Sequence, residues 1–99
     1  MSVSFTVTQI NNNVDNLVKS RFSDIITEGE ISSFNVSPSG HSYFTLKDES
    51  SEISCVMFKG NLARHEGSFK IGDFVSCYGN LGLYKPKGQF QFRVSQIKP

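Results

Sequence analysis

The chain has no tryptophan, only two cysteines, and no acidic residue after Asp73. It has no apolar run of membrane-spanning length, and Met1–Ile10 carries neither the basic stretch nor the apolar core of a signal peptide. These absences predict a cytoplasmic address and no membrane partner. Cys55 and Cys77 lie far apart with no Cys-x-x-Cys spacing, each within an apolar strand pattern. Buried, reduced thiols are expected, with a disulfide left open. His41 and His65 have no third ligand at metal spacing, so no metal site is expected. Neither a Gly-rich phosphate loop nor a GxSxG elbow occurs. Asp48, Glu49 and Glu52 cluster in one turn, and paired carboxylates can hold Mg²⁺ for phosphodiester cleavage. No basic or nucleophilic residue is spaced to work with them. The chain alone is therefore expected to be non-catalytic and to carry no cofactor.

Ninety-nine residues make one domain. A chain of this size buries about two thirds of its unfolded surface. Apolar residues are 37% of the chain, which is little for a core; nine Phe and three Tyr offset the shortfall. Phe packs a large area per residue and favours strands. Net charge is +1, but it is unevenly spread. Residues 1–73 carry six basic and nine acidic side chains, whereas residues 74–99 carry Lys85, Lys87, Arg93 and Lys98 and no acid. A basic C-terminal hairpin suits a polyanion. Lysines that blunt a sheet edge are the blander explanation.

Val7–Phe22 has helical periodicity, with Ile10, Val14, Leu17, Val18 and Phe22 on one face and Thr8 as a plausible N-cap. That face is expected to pack on the rest of the domain, although a partner-binding helix has the same pattern. Asn11, Asn12 and Asn13 are poor helix formers, so fraying of the first turn is expected. Strands are expected over Ile25–Val36, His41–Lys47, Glu52–Lys59, Phe74–Tyr84 and from Gln89 onward. Gly29 and Gly79 interrupt the two long strands, as a bulge or sharp coil in a closing barrel does. Phe44 and Leu46 share one face of the second strand, while Tyr43, Thr45 and Lys47 share the other. Both faces of the third strand are apolar, so its inward side is left open. In the last strand Phe90, Phe92 and Val94 are expected inward, with Gln89, Gln91, Arg93 and Ser95 outward. Gly60–Glu66 reads as a short helical plug between the third and fourth strands.

This order predicts an all-β domain with small helices. The expectation is a five-stranded Greek-key OB-fold barrel over residues 24–99, preceded by an amphipathic helical segment over residues 1–23 that packs on it. A chain that stops just past its fifth strand reads as a domain cut from a longer protein. OB-folds bind along strands 2 and 3, between the strand 1–2 and strand 4–5 loops. The candidate contacts are Tyr43, Lys47, Lys59, Tyr84, Lys85, Lys87, Gln91 and Arg93. Aromatic faces stack on unpaired bases, and Lys and Arg neutralise phosphates. The alternative for Tyr43 and Tyr84 is that their rings merely cap the barrel.

Several blocks carry a family resemblance: Glu28-Gly29-Glu30-Ile31-Ser32, the run SGHSYFTLKD from Ser39 to Asp48, CVMFKGN from Cys55 to Asn61, Gly79, and LYKPKGQFQ from Leu83 to Gln91. In order and spacing they resemble the N-terminal domain of the exodeoxyribonuclease VII large subunit, over nearly the whole chain. The resemblance implies a single-stranded DNA-binding OB module. It would guide substrate to a nuclease domain outside these residues, in a subunit that gathers several small subunits. Phe44, Gly60 and Gly88 fall in the motifs as structural positions. The connection Asn61–Gly67 is shorter and less basic than the family pattern. An RNA-binding module similar to the anticodon-binding domains of aminoacyl-tRNA synthetases shares the F-x-L-x-D strand but not the LYKPKGQFQ block. A protein-interaction barrel is the remaining alternative.

Overall fold

A computed structural model describes residues 2–59 and 69–99. One helix, α1 (Val7–Arg21), precedes five strands: β1 (Ile25–Val36), β2 (Ser42–Lys47), β3 (Glu52–Met57), β4 (Phe74–Tyr84) and β5 (Gln89–Lys98). The strands close into a barrel in the order β1-β2-β3-β5-β4. All neighbours are antiparallel except β3 and β5, which pair in parallel through Cys55–Phe92 and Val56–Arg93. The expected five-stranded barrel with an N-terminal helix is the observed fold. The expected plug at Gly60–Glu66 lies outside the described residues.

Strand periodicity builds the core. Phe44 and Leu46 from β2, Val75 and Cys77 from β4, and Phe92, Val94 and Ile97 from β5 meet Ile31 in one buried cluster. Cys55 and Met57 join it, which settles the inward face of β3. Val56 is also buried, but points the other way and so marks a covered spot on the outer wall. Both cysteines are free thiols; burial pushes each of them up to about 12.

The barrel bends where its pairings slip. In β1 the register shifts between Ile31 and Ser33, leaving Ser32 as the extra residue. In β5 the extra residue is Ser95, because Tyr78 pairs with Gln96 while Gly79 pairs with Val94. Gly79 sits at that slip because the Arg93 carbonyl occupies the place a Cβ would need. Gly29 is a close approach rather than the bulge itself, since a Cβ there would lie 2.9 Å from the Lys47 carbonyl oxygen.

The helix corrects two expectations. Its N-cap is Thr6, not Thr8: the Thr6 hydroxyl accepts from the Gln9 amide while the Gln9 side chain accepts from the Thr6 amide. Its apolar stripe does not seat it on the barrel. Ile10, Val14, Leu17 and Phe22 are all exposed, and Val7 is 77% exposed. The helix meets β4 instead along a face on which Asp15 is buried and Asn11 and Val18, the remaining stripe residue, are half-buried. Asp15 is its buried residue and accepts the Leu83 amide at 2.8 Å. Asn11 donates to the Lys85 carbonyl at 2.9 Å, so it anchors the helix.

Candidate nucleic-acid interface

The outer wall of β2, β3 and β5 is laid out by register. Tyr43 pairs with Val56, and Val56 pairs with Arg93. Tyr43 and Arg93 therefore flank the covered Val56 in one row across three strands. One step along, Thr45 pairs with Ser54. Side chains on a strand alternate between faces, so this ladder is the direct consequence of the Tyr43/Thr45/Lys47 alternation in the sequence.

Above this wall the β4–β5 hairpin projects as a lip. Tyr84 pairs with Gln89 and Leu83 with Phe90, but β3 reaches only Phe92 and Arg93 of β5. Among the described residues, the start of β5 thus has no strand on its other side. Gly88, at φ +61°, closes the turn, where a left-handed backbone favours glycine. Wall and lip enclose a groove of about 340 Å³ lined by Tyr43, Ser54, Tyr84, Lys87, Gln89, Phe90 and Gln91. Among the described residues no acidic side chain lines it. Two phenols, a phenyl ring, a cation and two amides there supply stacking faces, a phosphate partner and base-edge hydrogen bonds.

Of the eight candidate contacts, Tyr43, Tyr84, Lys87 and Gln91 share this groove. Arg93 lies on the adjoining row, where its guanidinium donates to the Leu83 carbonyl at 3.2 Å and covers Gly82. It braces the lip. Lys85 turns to the other side of the hairpin, toward α1. Lys47 sits far down β2, 3.5 Å from Glu30, in a depression that also includes Glu28, Asp48 and Glu52. Its charge is answered locally. Lys59 packs its stem on Gly40, and its amide donates to His41 Nδ1 at 2.9 Å. His41 in turn meets the edge of Phe58, with ring centroids 5.2 Å apart.

Phe90 was expected inside and is not: it is 54% exposed and lines the groove. It keeps the parity of Phe92, but it stands on the projecting hairpin, past the end of the barrel. Period-two alternation reports a face, not whether anything covers that face. Ser54 and Gln89 were likewise not among the candidates; only the register of three strands places them here.

The acidic turn has a structural role. Asp48 Oδ1 accepts the amides of Ser50 and Ser51, each at 2.9 Å, and these bonds hold its carboxyl below its usual range. Among the described residues no three His, Cys, Asp or Glu side chains gather as a metal site. Also among them, no helix is long and apolar enough to cross a membrane.

Comparison with known proteins agrees with this architecture. Residues 5–98 match the family model described as the OB-fold nucleic acid binding domain. The chain is 45% identical over 94 residues to the exodeoxyribonuclease 7 large subunit of Nautilia profundicola, covering 95% of this chain and 21% of that protein. It is 43% identical over 91 residues to the same subunit of Helicobacter hepaticus, covering 92% and 22%. The Campylobacter jejuni subsp. doylei subunit is 45% identical over 95 residues, covering 94% and 24%. The chain thus spans about a fifth to a quarter of the length of these relatives. Among solved structures, the second OB-fold domain of replication protein A from Methanococcus maripaludis superposes with a TM-score of 0.57 at 18% identity, covering 76% of this chain and 81% of that one. At that identity the likeness concerns the fold alone.

Proposed function

This chain belongs to the OB-fold nucleic acid binding domain family, and from that premise we propose that it is the single-stranded DNA-binding module of an exodeoxyribonuclease VII large subunit. The observation that carries this reading is the groove in which Tyr43, Tyr84 and Phe90 stand beside Lys87 and Gln91, with no acid among the described residues that line it. An unpaired strand offers bases free to stack, each worth about 1–3 kcal/mol on an aromatic side chain. A duplex hides those faces. Lys87 would take a phosphate and release its counterion. Arg93 is a lesser contact, because its guanidinium already holds the lip.

The module would pass its strand to a nuclease centre carried elsewhere in the subunit, with no catalytic step in this chain. The named activity of the relatives and the share of their length that the chain spans support this. Small subunits would join through the remaining parts. A cytoplasmic setting suits a DNA-handling domain with two unpaired buried thiols.

Labelled oligothymidine titrated against the chain at low and moderate salt tests the reading. Binding that weakens with salt is the expected result. Silence at low salt would refute direct contact. Competition with a structured tRNA separates DNA from RNA: preference for tRNA would move the reading to the RNA-binding class.

A further inference from the structure

The β4–β5 loop has two sides, and the groove uses only one. Lys87 faces the groove, whereas Lys85 and Pro86 face α1. Between the loop and the first two turns of the helix lies a second depression of about 390 Å³, lined by Val7, Thr8, Asn11, Asn12, Lys85 and Pro86. Among the described residues no acid lines it either. The single acidic residue of α1, Asp15, is buried and bound to Lys19 at 2.9 Å.

The floor of this depression is rigidly held. Asn11 donates to the Lys85 carbonyl, and Asp15 accepts the Leu83 amide, so two bonds from one helix face fix the residues on either side of Tyr84. Gly88 lies against the Asn11 amide group, where a Cβ would stand at an ordinary contact distance of 3.4 Å. A site held in place before binding loses less entropy when it is filled. The walls offer what a nucleotide needs. Lys85 supplies a cation for a phosphate, and Asn12 and Thr8 supply donors and acceptors for a base edge or sugar. The Pro86 ring and Val7 offer apolar surface for a base face.

We propose that this depression is a further nucleotide subsite. A strand leaving the groove beside Lys87 would cross Pro86 and set its next nucleotide between Lys85 and Asn12. The inference rests on the nucleic-acid reading above and extends it: α1 is part of the interface, and Lys85 and Lys87 serve different nucleotides of one strand.

Anisotropy titrations with an oligothymidine series of increasing length test it on the 99-residue chain. Affinity in the parent is expected to climb a step of about tenfold, or about 1.4 kcal/mol, when the oligomer becomes long enough to cross the loop and add one phosphate contact at Lys85. Asn12→Glu and Thr8→Glu each place an acid in the subsite. Glu is a good helix former, and acid near a helix start is favourable, so the fold should survive, as circular dichroism would show. Both variants are expected to lose the length step. A step that persists at the same length in Asn12→Glu would overturn the subsite, as would a uniform weakening with the step retained. No binding by the parent at any length would instead remove the nucleic-acid reading, and the subsite with it.

Discussion

The Asp15 carboxylate accepts a hydrogen bond from the backbone amide of Leu83 at 2.8 Å, joining the middle of α1 to the end of β4. Asp15 is 2% exposed, and its other oxygen meets Lys19. The apolar stripe of the same helix faces outward, so this polar contact largely decides where the helix sits. Asp15→Ala leaves the Leu83 amide unpaired in a covered position, and the expected loss is about 1–3 kcal/mol. Asp15→Asn keeps an acceptor and should lose less. Urea denaturation of the two variants checks the order.

The same contact sets an acid limit. The Leu83 amide, then Lys19, hold the Asp15 carboxyl below its ordinary value of 3.8. A carboxyl depressed in the folded state stabilises fully above its unfolded pKa and gives that up as pH falls through the folded value. Wild type should therefore lose stability on acidification below about pH 4, the ordinary carboxylate range. Asp15→Asn should show a shallower decline over that window. Thermal melts from pH 5 downward compare the slopes, and equal slopes would exclude Asp15 as a contributor.

The two lysines farthest apart in environment should separate in DNA binding. Lys87→Gln removes the cation of an acid-free groove, and the salt slope of oligothymidine binding should drop by about 0.7. Lys47→Gln acts where Glu30 stands 3.5 Å from the ammonium and Glu28, Asp48 and Glu52 line the same depression as Lys47. Its affinity should stay within about twofold of the parent, since a locally paired cation offers little to a phosphate. Titrations at several salt concentrations measure both.

Tyr84→Ala and Phe90→Ala should each weaken oligothymidine binding by about 1–3 kcal/mol. Phe90 is exposed on the hairpin, so its removal should scarcely change the urea midpoint. A large stability loss with unchanged affinity would make Phe90 a packing residue instead.

Gly79→Ala drives a Cβ into the Arg93 carbonyl at the β5 slip. Overpacking against backbone should cost about 1–3 kcal/mol or more. Denaturant unfolding reads it.

Cys55 and Cys77, both raised to about 12 by burial, should stay thiols at neutral pH and resist iodoacetamide until the protein unfolds. Mass spectrometry of alkylated samples with and without denaturant tests this.

What the sequence determines by itself is what short-range periodicity can encode. The limits of β1 and β4, the shared face of Phe44 and Leu46 with Tyr43 on the other, and the inward Phe92 and Val94 follow from spacings of a few residues. Spacing alone does not tell which apolar face another element covers. Most of the helix stripe and Phe90 satisfy the periodicity of buried residues, yet they are exposed, because no element among the described residues lies over them. Lys47, Lys85 and Lys87 look alike in the chain. Only barrel closure sends the first among carboxylates, the second toward α1 and the third into the groove. A cation's worth to a phosphate depends on its neighbours in space, and strand register across β2, β3, β5 and β4 brings those neighbours together.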